Sequence, residues 1–253
     1  MLPRTPSFRL DGKRAVVTGG SRGIGLGCAV ALAEEGANVT IVARSKDQVS
    51  ETVNKMKSEG FSVSGAPMDV SNIDSVNNLM NEFYDIDILV NSAGIARHTP
   101  TIDTTVADFD DVMSVNVRSA YFLAQSAAKK MIAKGVGGSI IQISSQMAHV
   151  GGIDRAVYCG TKHAIEGINK SMAMEFGPHK IRVNSICPTF VRTTFTESTF
   201  KNPDKVKWIE AKIKLGRVGE VEDIMGAVKF LASDVSAMVT GSSILIDGGW
   251  TAG

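Results

Sequence analysis

The sequence predicts an α/β fold in which one doubly wound, parallel sheet of seven strands has helices on both faces. Seven short apolar runs alternate with longer helical segments along the 253 residues, so crossover helices would connect the strands. Continuous apolar runs are typical of strands that are buried on both faces. No linker or repeat interrupts the alternation. We therefore expect a single domain at 13–253, after a flexible arm at 1–12 in which Pro3 and Pro6 exclude a regular helix.

The elements follow one another in a regular order. Strands are predicted where aliphatic and β-branched residues form short runs, at 15–18, 38–43, 61–68, 86–91, 139–144, 181–187 and 243–246. Helices are predicted where helix-compatible residues form longer segments, at 24–35, 48–58, 73–83, 105–134, 156–175 and 221–232. Gly36 ends the first of these helices, and Gly177 and Pro178 end the helix at 156–175. The loops that follow parallel strands meet at one edge of the sheet, where we expect a ligand site.

The composition excludes several classes of function. Lys and Arg total 27 and Asp and Glu total 26, so the formal net charge is +1, without the basic excess of proteins that bind nucleic acids or membrane surfaces. No apolar run approaches about 18 residues, and the first residues lack the apolar core of a signal peptide. We therefore expect a cytoplasmic protein with no nucleic-acid partner and no membrane partner. The three cysteines have no CxxC spacing and the four histidines have no metal-ligand spacing, so no metal is expected.

A glycine-rich loop joins the first strand to the first helix. Its candidate ligand-binding residues are Gly19, Ser21, Arg22, Gly23, Ile24 and Gly25. Glycines let the backbone approach a ligand closely, and the free N–H groups at a helix start suit a pyrophosphate. The GxxxGxG spacing differs from the GxGxxG fingerprint and from a P-loop. The alternative is a structural turn that binds nothing.

The end of the second strand indicates which dinucleotide this loop would bind. A carboxylate that holds the adenosine 2′-OH is usual at this place, but the sequence has Val42, Ala43, Arg44 and Ser45 instead. Arg44 and Arg22 could flank a 2′-phosphate, which a guanidinium binds well. We therefore expect NADP(H) to be favoured, with NAD(H) still possible. The alternative is that Arg44 is a solvated residue at the end of the strand.

A tyrosine and a lysine point to acid–base chemistry. Tyr158 and Lys162 are four residues apart in a predicted helix and so share one face. A phenol with a pKa of ~10 is a poor acid–base catalyst at neutral pH, and a nearby ammonium would lower that pKa. Such a pair is also common on an ordinary helix surface. The pair therefore indicates an active site only in combination with the other motifs.

These motifs together resemble the classical short-chain dehydrogenase/reductase family. The residues that carry the resemblance are the glycine loop, the run from Asn91 to Gly94, Asn116, Ser145, and Tyr158 with Lys162. The resemblance extends from about residue 11 to residue 253. It implies a Rossmann-like fold and hydride transfer between a nicotinamide cofactor and a small-molecule carbonyl or secondary alcohol.

The resemblance also implies a role for each catalytic candidate. Tyr158 would be the general acid, Ser145 would hold the substrate oxygen, and Lys162 would contact the nicotinamide ribose and lower the pKa of Tyr158. Asn116 would hold a water in a proton relay, although a buried asparagine at a helix kink is compatible with the same position. The adjacent Ser144 is one residue off the spacing and is expected to point elsewhere.

Further cofactor contacts follow from the same resemblance. They are Asp69 and Val70 at the adenine, Asn91, Ala93 and Gly94 along the cofactor, and Val191 and Thr193 at the carboxamide. Two residues depart from the family pattern, since Thr189 replaces a usual Gly and Ser92 replaces a common Asn.

The substrate is less well defined by the sequence. His98, Met147 and Arg155 are expected to line its pocket, and the segment 195–215 is expected to form a mobile lid. Arg155 and the lysines of the lid weakly favour a polar or anionic substrate, with solvated basic residues as the alternative. The closing run 246–250 is similar to that of gluconate 5-dehydrogenase-like and 3-oxoacyl-carrier-protein reductase-like members, which does not fix a substrate.

The resemblance further implies a homotetramer, assembled through the helices at 105–134 and 156–175 and the C-terminal strand region. Three alternative functions remain at this point. The first is an NAD(H)-dependent alcohol or polyol dehydrogenase of the same family, and the second is a dinucleotide-binding sensor without turnover. The third, a methyltransferase, gives no reason for the tyrosine–lysine pair.

Overall fold

Seven parallel strands form one sheet in the computed structural model, which describes residues 2–253. The strands are β1 (Arg14–Thr18), β2 (Asn38–Ala43), β3 (Val63–Pro67), β4 (Ile88–Asn91), β5 (Gly138–Ile143), β6 (Ile181–Pro188) and β7 (Ser243–Ile246). Their order across the sheet is β3-β2-β1-β4-β5-β6-β7. The direction of the connections reverses between β1 and β4, which creates the crevice where ligands bind in such folds. The predicted fold class is confirmed.

Helices cover both faces of this sheet. The α-helices of residues 2–253 are α1 (Gly23–Glu34), α2 (Lys46–Ser58), α3 (Ile73–Glu82), α4 (Val106–Met113), α5 (Ser119–Lys134), α6 (Ala156–Phe176), α7 (Glu197–Phe200), α8 (Pro203–Lys212) and α9 (Glu222–Ala232). Of these, α7 and α8 contribute to neither of the two cores on the sheet. Successive strand residues face opposite layers: Val17 packs in the core with α1, α2 and α9, whereas Val16 packs in the core with α3, α5 and α6. This two-sided burial explains why the strands are continuously apolar.

The predicted helical stretch at 105–134 is divided in the structure. A π-helical turn, Ser114–Arg118, separates α4 from α5, and the buried Asn116 lies at its centre. The Asn116 amide forms hydrogen bonds with both the N–H and the carbonyl group of Ile95, at 2.8 and 2.9 Å. These hydrogen bonds connect the π-helical turn to the loop that follows β4. Such π-turns are frequent at functional sites.

Two regions differ from the sequence-based expectation. The sequence predicts no regular element within 195–215, yet the segment contains α7 and α8. Asn202 caps α8 by accepting a hydrogen bond from the Lys205 N–H, and Pro203 occupies the first turn, a pattern that favours a helix start.

The predicted arm at 1–12 has no helix or strand among its described residues, but Leu10 is 2% exposed in the core and its N–H donates to the Glu35 carbonyl. The end of the arm is thereby fixed to the domain.

A membrane-spanning segment would have to be both long and apolar. None of the helices within residues 2–253 meets those two requirements.

Candidate active site

A cleft of about 420 Å³ opens at the carboxyl ends of the strands. Most of the predicted site residues line it: Gly19, Ser21, Arg22, Gly23, Ile24, Gly25, Arg44, Asp69, Val70, Ala93, Gly94, Ser145, Met147, Arg155, Tyr158, Lys162, Val191 and Thr193. The cleft lies at the reversal between β1 and β4, where the topology places a ligand site.

The glycine loop is shaped by close backbone packing. Gly19 has a φ of 67°, and a Cβ there would lie 2.9 Å from the Ala93 nitrogen. The hydroxyl of Thr18 accepts hydrogen bonds from the N–H groups of Ser92 and Ala93, both at 3.2 Å. A Cβ on Gly25 would overlap the Gly19 carbonyl oxygen. These glycines are therefore required by the shape of the loop, which also leaves the cleft open on its ligand side.

The start of α1 is suited to a pyrophosphate. Its cap residue, Arg22, makes no side-chain capping bond, and the first turn contains no acidic residue. In contrast, Ser45, Asn72 and Thr105 cap α2, α3 and α4 with side-chain oxygens. The uncapped N–H groups and the positive end of the helix dipole attract an anion. The residues present therefore fit the phosphates of a dinucleotide.

The far end of the cleft carries positive charge. Arg22 and Arg44 are exposed there, and neither forms an ion pair with any carboxylate of residues 2–253. Asp69 is nearby. Partial burial would raise the pKa of Asp69, but hydrogen bonds from Ser71 and the charge of Arg44 hold it below its usual value. This end of the cleft fits a phosphorylated ribose beside an adenine.

Lys162 is held in the floor of the cleft. Its ammonium donates a hydrogen bond of 2.9 Å to the Ile143 carbonyl at the end of β5. It also lies 5.6 Å from the centre of the Tyr158 ring. Burial lowers the pKa of Lys162 to about 8, although the nearby Cys187 and Glu166 oppose this shift. Lys162 is consequently a cation that costs free energy to keep buried.

The Tyr158 phenol lies beside Ser145. Burial raises the pKa of Tyr158, whereas the nearby Ser145 hydroxyl and the charge of Arg155 lower it. The protein alone therefore favours the neutral phenol, which is the form that can donate a proton. Ser145 is oriented in turn by the N–H of Met147, which donates to its hydroxyl at 3.1 Å.

The loop after β6 closes the cleft next to the glycine loop. The hydroxyl of Thr196 donates to the Val191 carbonyl at 2.5 Å and lies 3.2 Å from the Thr193 hydroxyl. A Cβ on Gly23 would lie 3.3 Å from the Thr193 side chain. The Thr189 hydroxyl, at the position of the usual glycine, is buried and has no hydrogen-bond partner within residues 2–253.

Arg155 and His98 meet at the mouth of the cleft. An Nη1 atom of Arg155 lies 2.8 Å from Nε2 of His98. The His98 ring also contacts the Tyr158 ring edge to face, with centroids 6.0 Å apart. Burial, followed by the charges of Arg155 and Lys205, lowers the pKa of His98 to about 4.

Three predicted residues do not line the cleft. Asn91 is buried below it, where its amide donates to the Ala120 carbonyl at 3.1 Å, so its side chain points away from a cofactor. Asn116 lies behind the cleft, where it also donates to the Thr161 hydroxyl at 3.2 Å. His98 reaches the site through Arg155. The cleft is also lined by residues to which the sequence assigned no role, including Ser45, Gln48, Ile95, Val115, Phe190 and Thr194. A helix-capping serine after β2 was a signal for the first of these.

Most of the chain matches known proteins. A family model described as enoyl-(acyl carrier protein) reductase matches residues 19–251. The chain belongs to the short-chain dehydrogenase/reductase family. As a short-chain dehydrogenase/reductase, it is an oxidoreductase that acts on CH–OH groups with NAD(P).

The proteins to which this chain is similar have names that refer to different compounds. D-erythrulose reductase of Gallus gallus is 37% identical over 97% of this chain and 98% of that protein. The 2-dehydro-3-deoxy-D-gluconate 5-dehydrogenase of Escherichia coli (strain K12) is 38% identical over 97% of this chain and 98% of that protein. Among solved structures, the gluconate 5-dehydrogenase of Burkholderia cenocepacia J2315 in complex with NADP and tartrate has a TM-score of 0.94 and 35% identity, covering 97% of this chain and 98% of its own.

Proposed function

We propose that this short-chain dehydrogenase/reductase interconverts a ketone and a secondary alcohol in a small polyhydroxylated compound, with NADP(H) as its cofactor. The observation that carries the proposal is the convergence of Ser145, Tyr158 and Lys162 in one cleft with the uncapped start of α1. A protein that only binds a dinucleotide has no need of a buried lysine beside a half-buried phenol.

The cofactor, when bound, supplies or accepts the hydride. The start of α1 holds its pyrophosphate, because the first N–H groups of this helix have no side-chain cap and no neighbouring acid, and the glycine loop leaves room for the phosphates. Arg22 and Arg44 hold the 2′-phosphate, which is the basis for preferring NADP(H) to NAD(H). The remaining contacts are assigned to Asp69 and Val70 at the adenine, Ala93 and Gly94 along the ribose, and Val191 and Thr193 at the carboxamide. Asn91 supports this strand end from below.

Proton transfer is assigned to Tyr158. Because burial keeps the phenol neutral, Tyr158 is ready to donate its proton to a carbonyl oxygen. Ser145 donates a hydrogen bond to that same oxygen. Lys162 holds the ribose hydroxyls and, as a cation 5.6 Å from the ring, stabilises the phenolate that forms. In the oxidative direction the same phenolate accepts the proton of the alcohol.

Asn116 is assigned to the resupply of protons. Its side chain is fully engaged with Ile95 and Thr161 and therefore fixes the π-turn rather than contacting substrate. This arrangement leaves the backbone of the turn to hold a water between Lys162 and solvent. Asn116 is thus a positioning residue for the proton relay.

The polyhydroxylated substrate class is supported by the relatives and by the cleft. The relatives' names state erythrulose, 2-dehydro-3-deoxy-gluconate and gluconate. At the mouth of the cleft, His98 and Arg155 provide polar groups, and Met147 contributes an apolar wall. The lid at 195–215 would close over the substrate and exclude water. Its α8 packs on a cluster with Phe190 and Trp250, which would serve as its anchor.

The test is a cofactor and substrate panel. NADPH and NADH consumption is measured at the absorbance band of the reduced nicotinamide with ketoses, keto acids and an apolar ketone. The proposal expects turnover of a hydroxylated ketone with a preference for NADPH. Tight NADPH binding with no turnover of any ketone would identify a sensor instead. A clear preference for NADH would identify an NAD(H)-dependent polyol dehydrogenase of the same family.

A further inference from the structure

We propose that Arg155 is the centre of a carboxylate-binding subsite, so that this enzyme takes the acid form of its polyhydroxylated substrate in preference to the neutral sugar. The inference rests on the proposed function, because it names which of the two kinds of compound the cleft selects. It depends on four features of Arg155: its position in the cleft, its unpaired hydrogen-bond donors, the charged groups around it, and the aromatic ring that holds its guanidinium in place.

The position of Arg155 places it in contact with the reacting end of the cleft. It lies immediately before α6, three residues ahead of Tyr158, and lines the same cleft. Its charge acts on the phenol, since it lowers the pKa of Tyr158 against the effect of burial. One small molecule can therefore contact both side chains.

The guanidinium of Arg155 has donors that the protein does not use. Arg155 and Arg182 are the two half-buried arginines of residues 2–253. Arg182 donates to the Ser236 hydroxyl and to the Ser233 carbonyl. The side chain of Arg155 has one hydrogen-bond partner in this part of the chain, His98, and no carboxylate within 4.0 Å. Arg155 lines the cleft, and none of its side-chain nitrogens is among the buried polar atoms without a partner, so its unused donors are accessible to a ligand.

His98 does not neutralise this cation. A guanidinium has only donors, so Nε2 of His98 must accept, and the imidazole is neutral with its proton on Nδ1. The charged groups that act on His98 are Arg155, Lys205 of α8 and Asp154. Asp154 is exposed, and neither cation forms an ion pair with it. Two cations thus act on His98, with one solvated acid beside them.

The guanidinium is also held in a fixed place. Its central carbon lies 5.2 Å from the centroid of Phe190, a distance at which the aromatic ring attracts a cation. Phe190 packs in turn against Trp250, with centroids 5.7 Å apart. A guanidinium supported in this way binds a carboxylate with little further loss of side-chain freedom, and can do so through two parallel hydrogen bonds.

The experiment compares two substrates that differ in one group. 5-Keto-D-gluconate carries a carboxylate where L-sorbose, with the same carbon skeleton and stereocentres, carries a CH₂OH group. We expect kcat/KM to be higher for the acid in the parent enzyme. In Arg155→Gln, the ratio of kcat/KM for the acid to that for the neutral sugar should fall by about 10–100-fold, mainly through KM. Arg155→Lys keeps the charge and should retain part of the preference.

A matched control separates this subsite from general electrostatics. Arg97 is close in sequence to His98, but it is exposed and paired with Asp108 and Asp111. Arg97→Gln should leave the ratio for the two substrates unchanged. If Arg155 acts only by tuning the pKa of Tyr158, its loss should change kcat equally for both substrates and leave their ratio as in the parent. That result would overturn the proposal.

A binding measurement keeps the subsite testable without turnover. Calorimetry in the presence of NADP⁺ compares tartrate with threitol, its neutral counterpart. We expect tartrate to bind more tightly than threitol to the parent, and Arg155→Gln to remove that difference. Tartrate binding that depends on Arg155 supports the subsite even if no ketone is reduced, which would be a failure of the proposed function alone. Equal binding of tartrate by the parent and Arg155→Gln would overturn the subsite.

Discussion

Lys162 lies 5.6 Å from the centre of the Tyr158 ring, and its ammonium donates a hydrogen bond to the Ile143 carbonyl. The bond to β5 fixes the cation at the carboxyl end of the sheet. The four-residue spacing along α6 then sets its position relative to the phenol. This geometry provides a positive charge where a phenolate would form, at the cost of burying an ammonium.

The first prediction concerns that cost. A pKa of Lys162 lowered from 10.5 to about 8 corresponds to ~3 kcal/mol of stability lost below pH 8. The loss is relieved as the pH rises from 8 to 10.5, because the folded state releases its proton while the unfolded state still binds one. Lys162→Met should therefore raise the free energy of unfolding at pH 7 by about 1–3 kcal/mol, less at pH 10, while abolishing turnover. Urea unfolding at both pH values measures the effect.

Lys170 provides the control for this measurement, since it is exposed on the same helix. Lys170→Met should leave stability at both pH values close to that of the parent. A stability gain in Lys162→Met that is the same at pH 7 and pH 10 would show that the buried charge is not its cause.

The second prediction concerns cofactor choice. Arg44→Asp removes a cation from the cleft and adds a carboxylate that repels a 2′-phosphate and can accept a ribose hydroxyl. The ratio of kcat/KM with NADPH to that with NADH should fall at least ~10-fold. Arg4→Asp makes the same charge change in the exposed N-terminal arm and should not alter the ratio. An unchanged ratio in Arg44→Asp would place the 2′-phosphate elsewhere.

The third prediction concerns the shape of the glycine loop. In Gly25→Ala the new Cβ would overlap the Gly19 carbonyl oxygen, so the loop must move. NADPH binding, followed by fluorescence titration, should be lost, and the free energy of unfolding should fall by about 1–3 kcal/mol. At Gly226 in α9, a methyl group would meet no atom of residues 2–253 within 4 Å beyond its own helix backbone and chain neighbours. Gly226→Ala should instead stabilise the protein by about 0.5–1 kcal/mol and keep NADPH binding.

The fourth prediction concerns assembly, for which we propose a homotetramer. Apolar side chains remain exposed on α5, α6 and β7, including Tyr121, Met174 and Leu245, with Met174 82% exposed. Burial of such surface in a symmetric interface would stabilise the assembly. Light scattering at micromolar concentration should give about four times the 26.9 kDa of one chain. A mass near 26.9 kDa would contradict it.

The parts of the molecule that depend on local chemistry were predictable from the sequence. The positive φ of Gly19 follows from a tight strand-to-helix turn, and the shared face of Tyr158 and Lys162 follows from helix periodicity. Both features are encoded within a few neighbouring residues.

Contacts between distant segments were not predictable in this way. His98 and Arg155 are 57 residues apart, and only the sheet order brings the ends of their elements together. The π-turn at Asn116 depends on hydrogen bonds to Ile95 that no local pattern reveals. The sequence predicts a flexible arm around Leu10, but the Leu10 N–H donates a hydrogen bond to the Glu35 carbonyl. That partner lies in another segment of the chain, so the residues near Leu10 do not reveal the contact.

The role of Tyr158 as the proton donor is tested most directly by the rate of NADPH-dependent ketone reduction in Tyr158→Phe. This substitution keeps the ring and removes the proton that the mechanism requires, while Tyr84→Phe makes the same change at a 90% exposed position. We expect turnover to fall at least ~10²-fold in Tyr158→Phe, with NADPH affinity retained, and Tyr84→Phe to behave as the parent. Near-parent turnover in Tyr158→Phe would contradict the assignment of this cleft as an acid–base active site.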